Sequence, residues 1–190
     1  NPKDVRIHLI GDKQINAFVS GGQQMFFNTG LIIQTRTPNE LIGVMAHETG
    51  HISGGHLARS GDASKAATGT FVMTLGLGLL AALAGAPDAA AMLIGNSSYF
   101  ATLSVLGYTR VPESSADQAA AGFLERSEPS GKGLVEFFDN FRYQEVFSEA
   151  KRYPFFRSHP LSSDRIEALR VRVEAMPNYV KSDSADAQTT

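Results

Sequence analysis

The 190-residue chain has no cysteine, which excludes disulfides, cysteine-built zinc sites and thiol nucleophiles together. The absence names no compartment, because both the cytosol and an export route that avoids mispaired thiols accept such a chain. An excess of one charge is missing too. With 17 Lys and Arg against 19 Asp and Glu the formal net charge is -2, so there is no electrostatic footprint for nucleic acid and no such partner is expected. No glycine-rich phosphate loop follows a predicted strand, and Gly76-Leu77-Gly78 lacks the remaining spacing of a dinucleotide fingerprint. Charge is absent altogether between Lys65 and Asp88, and again from Ala89 to Thr109. The length suits one domain with a sizeable core.

What is present is concentrated in His47-Glu48-Thr49-Gly50-His51, an H-E-x-x-H run. Residues four apart share a helix face, so both imidazoles can point at one ion while Glu48 reaches a water on it. Two neutral imidazoles holding Zn²⁺, with a carboxylate that takes a proton from the attacking water, make up the chemistry of a zinc hydrolase. The helix is legible locally. Thr37-Pro38-Asn39-Glu40 has the S/T-x-x-E form of a capping box, with Pro38 at the first helical position. Leu41, Val44, Met45, Glu48 and Ile52 then recur at three- and four-residue steps, giving one buried face, and Gly54-Gly55 and Gly61 offer places to stop.

Such a site needs a third ligand. The metzincin pattern H-E-x-x-H-x-x-G-x-x-H matches at Gly54 but puts its last histidine at Leu57, one residue beyond His56. In a continuing helix His56 is rotated well off the ligand face, so it reads as a residue behind the ligands or on the surface. Carboxylates are the alternative. In Arg110-Val111-Pro112-Glu113-Ser114-Ser115-Ala116-Asp117 the two acids are four apart and share a face, and Pro112 suits a first helical turn. One acid can coordinate zinc while the other accepts the free N–H of a ligating imidazole.

The order of three motifs resembles the HtpX/BepA-like zinc metallopeptidases, bacterial relatives of the CAAX prenyl proteases. They are H-E-x-x-H, then Glu113-Ser114-Ser115-Ala116-Asp117 as E-x-x-A-D, then His159-Pro160-Leu161-Ser162-Ser163-Asp164-Arg165 as H-P-x-x-x-x-R. Asn16-Ala17-Phe18, Gly21-Gly22 and Thr29-Gly30-Leu31 match the stretch before the family's active-site helix, and the resemblance runs from about Val5 to Ala175. It implies a gluzincin with one zinc ion: His47, His51 and Glu113 as ligands, Glu48 as general base, Asp117 as orienter, and His159 and Arg165 near the metal. His159 either donates to the developing oxyanion or closes the fourth zinc position and holds the enzyme latent. Arg165, on a predicted helix over Ser163–Met176, is expected to brace a carboxylate rather than touch substrate.

The expected fold class is α+β and zincin-like: a small mixed or antiparallel sheet packed on the active-site helix, with a mainly helical C-terminal half. One metallopeptidase domain is expected over residues 1–180, with a disordered tail over 181–190. Arg6–Ile10, Ile15–Val19, Gln24–Asn28 and Leu31–Gln34 read as strands broken by Gly11-Asp12 and Gly21-Gly22. The resemblance places a substrate-binding edge strand near Gln23–Asn28. Gly133–Ala150 reads as an amphipathic helix with Leu134, Phe137, Phe138, Phe141 and Val146 on its apolar face, and Tyr153-Pro154-Phe155-Phe156 as a wall of the substrate pocket. The uncharged middle admits three readings: buried core helices, a lid over the zinc, or a hairpin dipping into a bilayer. A helical hairpin covering the site, with membrane contact through residues 66–109, is favoured over a true crossing. The implied function is zinc-dependent endopeptidase action on misfolded or misassembled proteins of the bacterial envelope, in the periplasm or at a membrane. The rival is a latent binding or chaperone-like module capped by His159. The sequence does not specify an oligomeric state.

Overall fold

The computed structural model describes residues 4–127, 129–142 and 154–179. Strands β1 (Arg6–Ile10), β2 (Ala17–Ser20) and β3 (Gln24–Asn28) form a mixed sheet in the order β1-β3-β2. β1 runs parallel to β3 with Arg6 opposite Gln24, and β2 runs antiparallel with Ala17 opposite Phe27. Gly21 and Gly22, at φ 57 and 90, turn the chain between β2 and β3 where a Cβ would be strained. β3 is therefore the central strand. The expected edge near Gln23–Asn28 is corrected: the free edges belong to β1 and β2.

Leu31–Gln34 is not a strand either. Helix α1 (Thr29–Gln34) takes its place. A run as short as Leu31-Ile32-Ile33 cannot be assigned by periodicity, and contacts outside it decide. Gly30 N–H and the Thr29 hydroxyl both donate to the Asp12 carbonyl, at 2.8 and 3.0 Å, and anchor the chain beside the loop after β1. One helical turn then buries Leu31 and exposes Ile33, which a strand would have put on the same face.

Helix α2 (Pro38–Ser53) begins as its sequence foretells, with the Thr37 hydroxyl accepting from Glu40 N–H at 3.3 Å. The reciprocal bond runs one residue further back, from Arg36 N–H to the Glu40 carboxylate at 2.7 Å. After a 3-10 turn at Leu57–Arg59 come α3 (Ser60–Leu83), α4 (Pro87–Gly95), α5 (Ser97–Arg126), α6 (Lys132–Arg142), α7 (Pro154–Ser158) and α8 (Ser163–Glu174). Pro112 does not open a helix as expected. It lies inside the 30-residue α5, where it removes one i→i−4 bond.

Two compact units divide the chain, Asn1–Leu57 with Glu113–Thr190, and Ala58–Pro112. The core of the first joins Ile15, Met25, Phe27 and Leu31 to Leu134, Phe137 and Phe138 of α6 and Ile166, Leu169 and Val173 of α8. A fully buried phenylalanine contributes about 1.5–3 kcal/mol over an exposed one, so this aromatic cluster is a main stabilising element. α2 crosses α6 closely because a Cβ at Gly43 would stand 2.7 Å from the Leu134 backbone. α6 covers the first part of the expected Gly133–Ala150 helix. Val146, Tyr153 and the 181–190 tail fall outside the described residues. Phe155 and Phe156 are buried in the core, where Phe155 N–H donates to the Ile15 carbonyl and the Phe155 ring meets that of His159 with centroids 4.8 Å apart.

The second unit is a set of apolar helices. α3 and α4 pack through Gly78, where a Cβ would meet the Ile94 side chain at 2.6 Å, and Gly85 at φ 79 makes the turn between them. The Asn96-Ser97-Ser98 interruption falls at the break between α4 and α5, which are bent by 51°. Gly61–Leu83 is long and apolar enough to cross a membrane, and Phe71, Val72, Met73, Leu77, Leu79, Leu80 and Leu83 are exposed on it.

Candidate metal centre

Helices α2, α5 and α8, with the residue that follows α7, deliver the parts of a polar cluster inside the apolar core of the first unit. α2 brings His47 and His51 to one face, as i and i+4 require. Gly50, between them, is packed so tightly that a Cβ would lie 2.6 Å from the Ala116 carbonyl, which lets α5 approach. That approach carries Glu113 and Asp117 to the histidines. His159 follows α7, its N–H donating to the Phe155 carbonyl at 2.8 Å, and Arg165 lies in the first turn of α8, whose start is capped by the Ser162 hydroxyl.

His47, His51, Glu113 and His159 each offer one donor atom, and these lie within 4.8 Å of one another. The separations are 3.1 Å for His47 Nε2 to His51 Nε2, 3.3 Å for His47 Nε2 to His159 Nδ1, 3.5 Å for His47 Nε2 to Glu113 Oε2 and 3.4 Å for His51 Nε2 to Glu113 Oε1. Ligands about 2.0–2.1 Å from a tetrahedral zinc ion stand roughly 3.3–3.4 Å apart. The donor set therefore has the chemistry and spacing of a zinc site.

Electrostatics point the same way. Burial opposes a charge on His47, but hydrogen bonds and charges from Asp117 and Glu113 outweigh it and raise the pKa to about 10. Burial and the neighbouring His47 charge push His51 down to about 3. Glu113 is held far below the usual carboxylate range by His159 and His47, in spite of its burial. The Asp117 and Glu113 carboxylates favour positive charge at His47, and a dication would supply it with both rings neutral.

Behind the donors stands a braced layer. His47 Nδ1 is 2.9 Å from Asp117 Oδ1. Arg165 forks onto Asp117, Nε to Oδ2 at 2.8 Å and Nη2 to Oδ1 at 2.9 Å, while Nη1 donates to the Pro160 carbonyl and lies 3.2 Å from Glu113 Oε2. The sequence pattern suggests one acid for Arg165; the structure gives it both. His47 and Arg165 also meet the ring of Phe138, at 5.8 and 5.7 Å. Only the aromatic stripe of α6 hinted at that contact. His56, set aside as a ligand on spacing and expected behind the ligands or on the surface, stands with its Nδ1 3.0 Å from His51 Nδ1.

Glu48 is set apart. It is 1% exposed and neither carboxylate oxygen has a hydrogen-bond partner among the described residues, while His159 Nε2 stands 3.4 Å from Oε1. Burial raises its pKa. A buried unsatisfied carboxylate beside a donor cluster is poised to accept a proton.

A glutamate adjoining two helix-borne histidines, with a carboxylate completing the donors, defines a metallopeptidase of the H-E-x-x-H class. The family model for peptidase family M48 matches residues 1–173, and the chain belongs to that family. It is 31% identical over 173 residues to a putative beta-barrel assembly-enhancing protease of Vibrio cholerae, covering 89% of this chain and 34% of that protein. The beta-barrel assembly-enhancing protease of Escherichia coli is 28% identical over 94% of this chain and 36% of its own length. The Escherichia coli metalloprotease LoiP is 26% identical over 92% of this chain and 65% of its own. The chain thus spans about a third of the length of the barrel-assembly relatives.

Proposed function

We propose that this chain is a zinc-dependent endopeptidase that cleaves misfolded or misassembled proteins of the bacterial envelope. The observation that carries the reading is the buried Glu48 carboxylate, without a hydrogen bond among the described residues, beside four donors at zinc-site spacing. His47, His51 and Glu113 hold the ion, and Asp117, backed by Arg165, orients His47. A bound zinc ion supplies Lewis acidity that polarises the scissile carbonyl and acidifies water. Glu48 takes the proton of the attacking water on a carboxylate oxygen and hands it to the leaving amine, a task suited to its raised pKa. The β1 and β2 edges, unpaired among the described residues, offer backbone groups to which an extended chain of any sequence can add. The envelope substrates are proposed from the relatives named for beta-barrel assembly, and a periplasmic or membrane-associated place is proposed with them.

A second reading concerns control. His159 Nδ1 points into the donor cluster while Nε2 faces Glu48, so one imidazole engages both the fourth coordination position and the general base. This geometry favours a latent, capped state over an oxyanion donor. Casein hydrolysis by the purified chain tests both readings. Cleavage that a chelator stops is expected, with His159→Ala raising the basal rate several-fold. Chelator-insensitive cleavage contradicts the enzyme assignment, and a fall in His159→Ala contradicts the cap.

The apolar helices, free of charge between Lys65 and Asp88 and from Ala89 to Thr109, suit contact with a bilayer. The 23 residues of Gly61–Leu83 extend about 35 Å at 1.5 Å per residue, against a hydrocarbon core of about 30 Å. Exposed apolar side chains occupy roughly two thirds of the helix circumference, whereas a helix that docks in a protein groove presents one stripe. Flotation with phosphatidylethanolamine–phosphatidylglycerol vesicles is expected for this chain and not for Leu80→Asp/Leu83→Asp. A chain that ignores the vesicles overturns the membrane contact.

A further inference from the structure

The end of α2 sets His56 against His51 by a specific device. Gly54 caps the helix, and Gly55, at φ 61, takes the left-handed conformation that reverses the chain. The reversal is closed by two bonds, Gly55 N–H to the Ile52 carbonyl and His56 N–H to the His51 carbonyl, each 3.1 Å. This glycine C-cap brings the second residue past the cap over the last turn, where an apolar contact usually forms. Here the contact is between two imidazoles. Their Nδ1 atoms are 3.0 Å apart and the rings meet edge to face with centroids at 5.0 Å.

The proton positions follow from the other side of His51. Its Nε2 faces the donor cluster, 3.1 Å from His47 Nε2 and 3.4 Å from Glu113 Oε1. A coordinating nitrogen needs its lone pair, so the His51 proton resides on Nδ1. That N–H meets His56 Nδ1, which accepts, and the His56 proton then sits on Nε2. Nε2 lies over Gly54, where a Cβ would come within 2.3 Å of it, so the glycine provides the space for the ring.

We infer that His56 is a positioning residue that locks His51 in its Nδ1–H tautomer and in its ring orientation, and that Gly54 and Gly55 place it there. The inference rests on the metal centre proposed above and adds a partner for its second histidine. The two ligating imidazoles are thereby oriented differently. His47 is backed by the carboxylate of Asp117, whereas His51 is backed by an imidazole, which adds no negative charge to a site already holding Glu113.

Zinc affinity, measured by competition with a chromophoric chelator, provides the test. His56→Ala is expected to bind zinc about 10–100-fold more weakly, the usual loss when the partner of a ligating imidazole is removed. His56→Asn, whose Oδ1 can replace Nδ1 as acceptor, is expected to recover most of that loss, and Gly54→Ala to reproduce it. Nitrogen-15 spectra of zinc-loaded protein with labelled histidine are expected to show His51 protonated on Nδ1, and melting in excess chelator to be the same for parent and His56→Ala. Parent-like affinity in His56→Ala overturns the inference, as does His56→Asn binding no better than His56→Ala. A parent chain that takes up no zinc overturns the metal centre itself.

Discussion

Glu48→Gln is expected to cut proteolysis by about 10²–10⁴-fold, the range for loss of a positioned general base, while bound zinc stays at the parent level. The side chain is nearly isosteric and none of its oxygens is among the clustered donors, so the metal has no reason to leave. The neutral amide cannot take the proton of the attacking water. It also relieves the cost of a buried carboxylate without hydrogen bonds, so the variant is expected to melt no lower than the parent. Casein hydrolysis and elemental analysis on the same preparation check both halves. Unchanged cleavage sinks the general-base assignment.

Glu113→Ala is expected to lower zinc affinity more than about 100-fold, beyond the loss typical of a partner behind the ligands. Glu113 is the one anionic member of the donor cluster, and without it two or three neutral imidazoles face a dication alone. The variant is expected to keep its helical content, because Arg165 remains forked on Asp117 at 2.8 and 2.9 Å. Circular dichroism beside chelator competition separates metal loss from unfolding. Parent-like zinc affinity would put the third ligand elsewhere.

The site was far more legible in the sequence than the sheet. His47, Glu48 and His51 declare themselves because helix geometry converts a spacing of four into one face, and Thr37 and Pro38 fix where that helix starts. The Glu113/Asp117 and His159/Arg165 pairs lie dozens of residues from α2 and from each other, and only motif order linked them; the close crossing at Gly50 against Ala116 brings the first pair to the histidines. The Pro112 expectation failed because the apolar run before it continues as helix, overriding a local boundary signal. Leu31–Gln34 failed because hydrogen bonds to Asp12, not periodicity, decide its conformation. The role of His56 was hidden for a related reason. Helical spacing places it off the ligand face, but the helix stops at Ser53 and a left-handed Gly55 folds it back.

The most direct measurement is the zinc content of the purified chain together with its casein hydrolysis before chelation, after chelation and after zinc is restored. One zinc ion per chain is expected, with cleavage lost on chelation and regained on zinc return. A chain that takes up no zinc, or cleaves casein equally well in excess chelator, contradicts the assignment of His47, Glu48, His51 and Glu113 as a zinc peptidase centre.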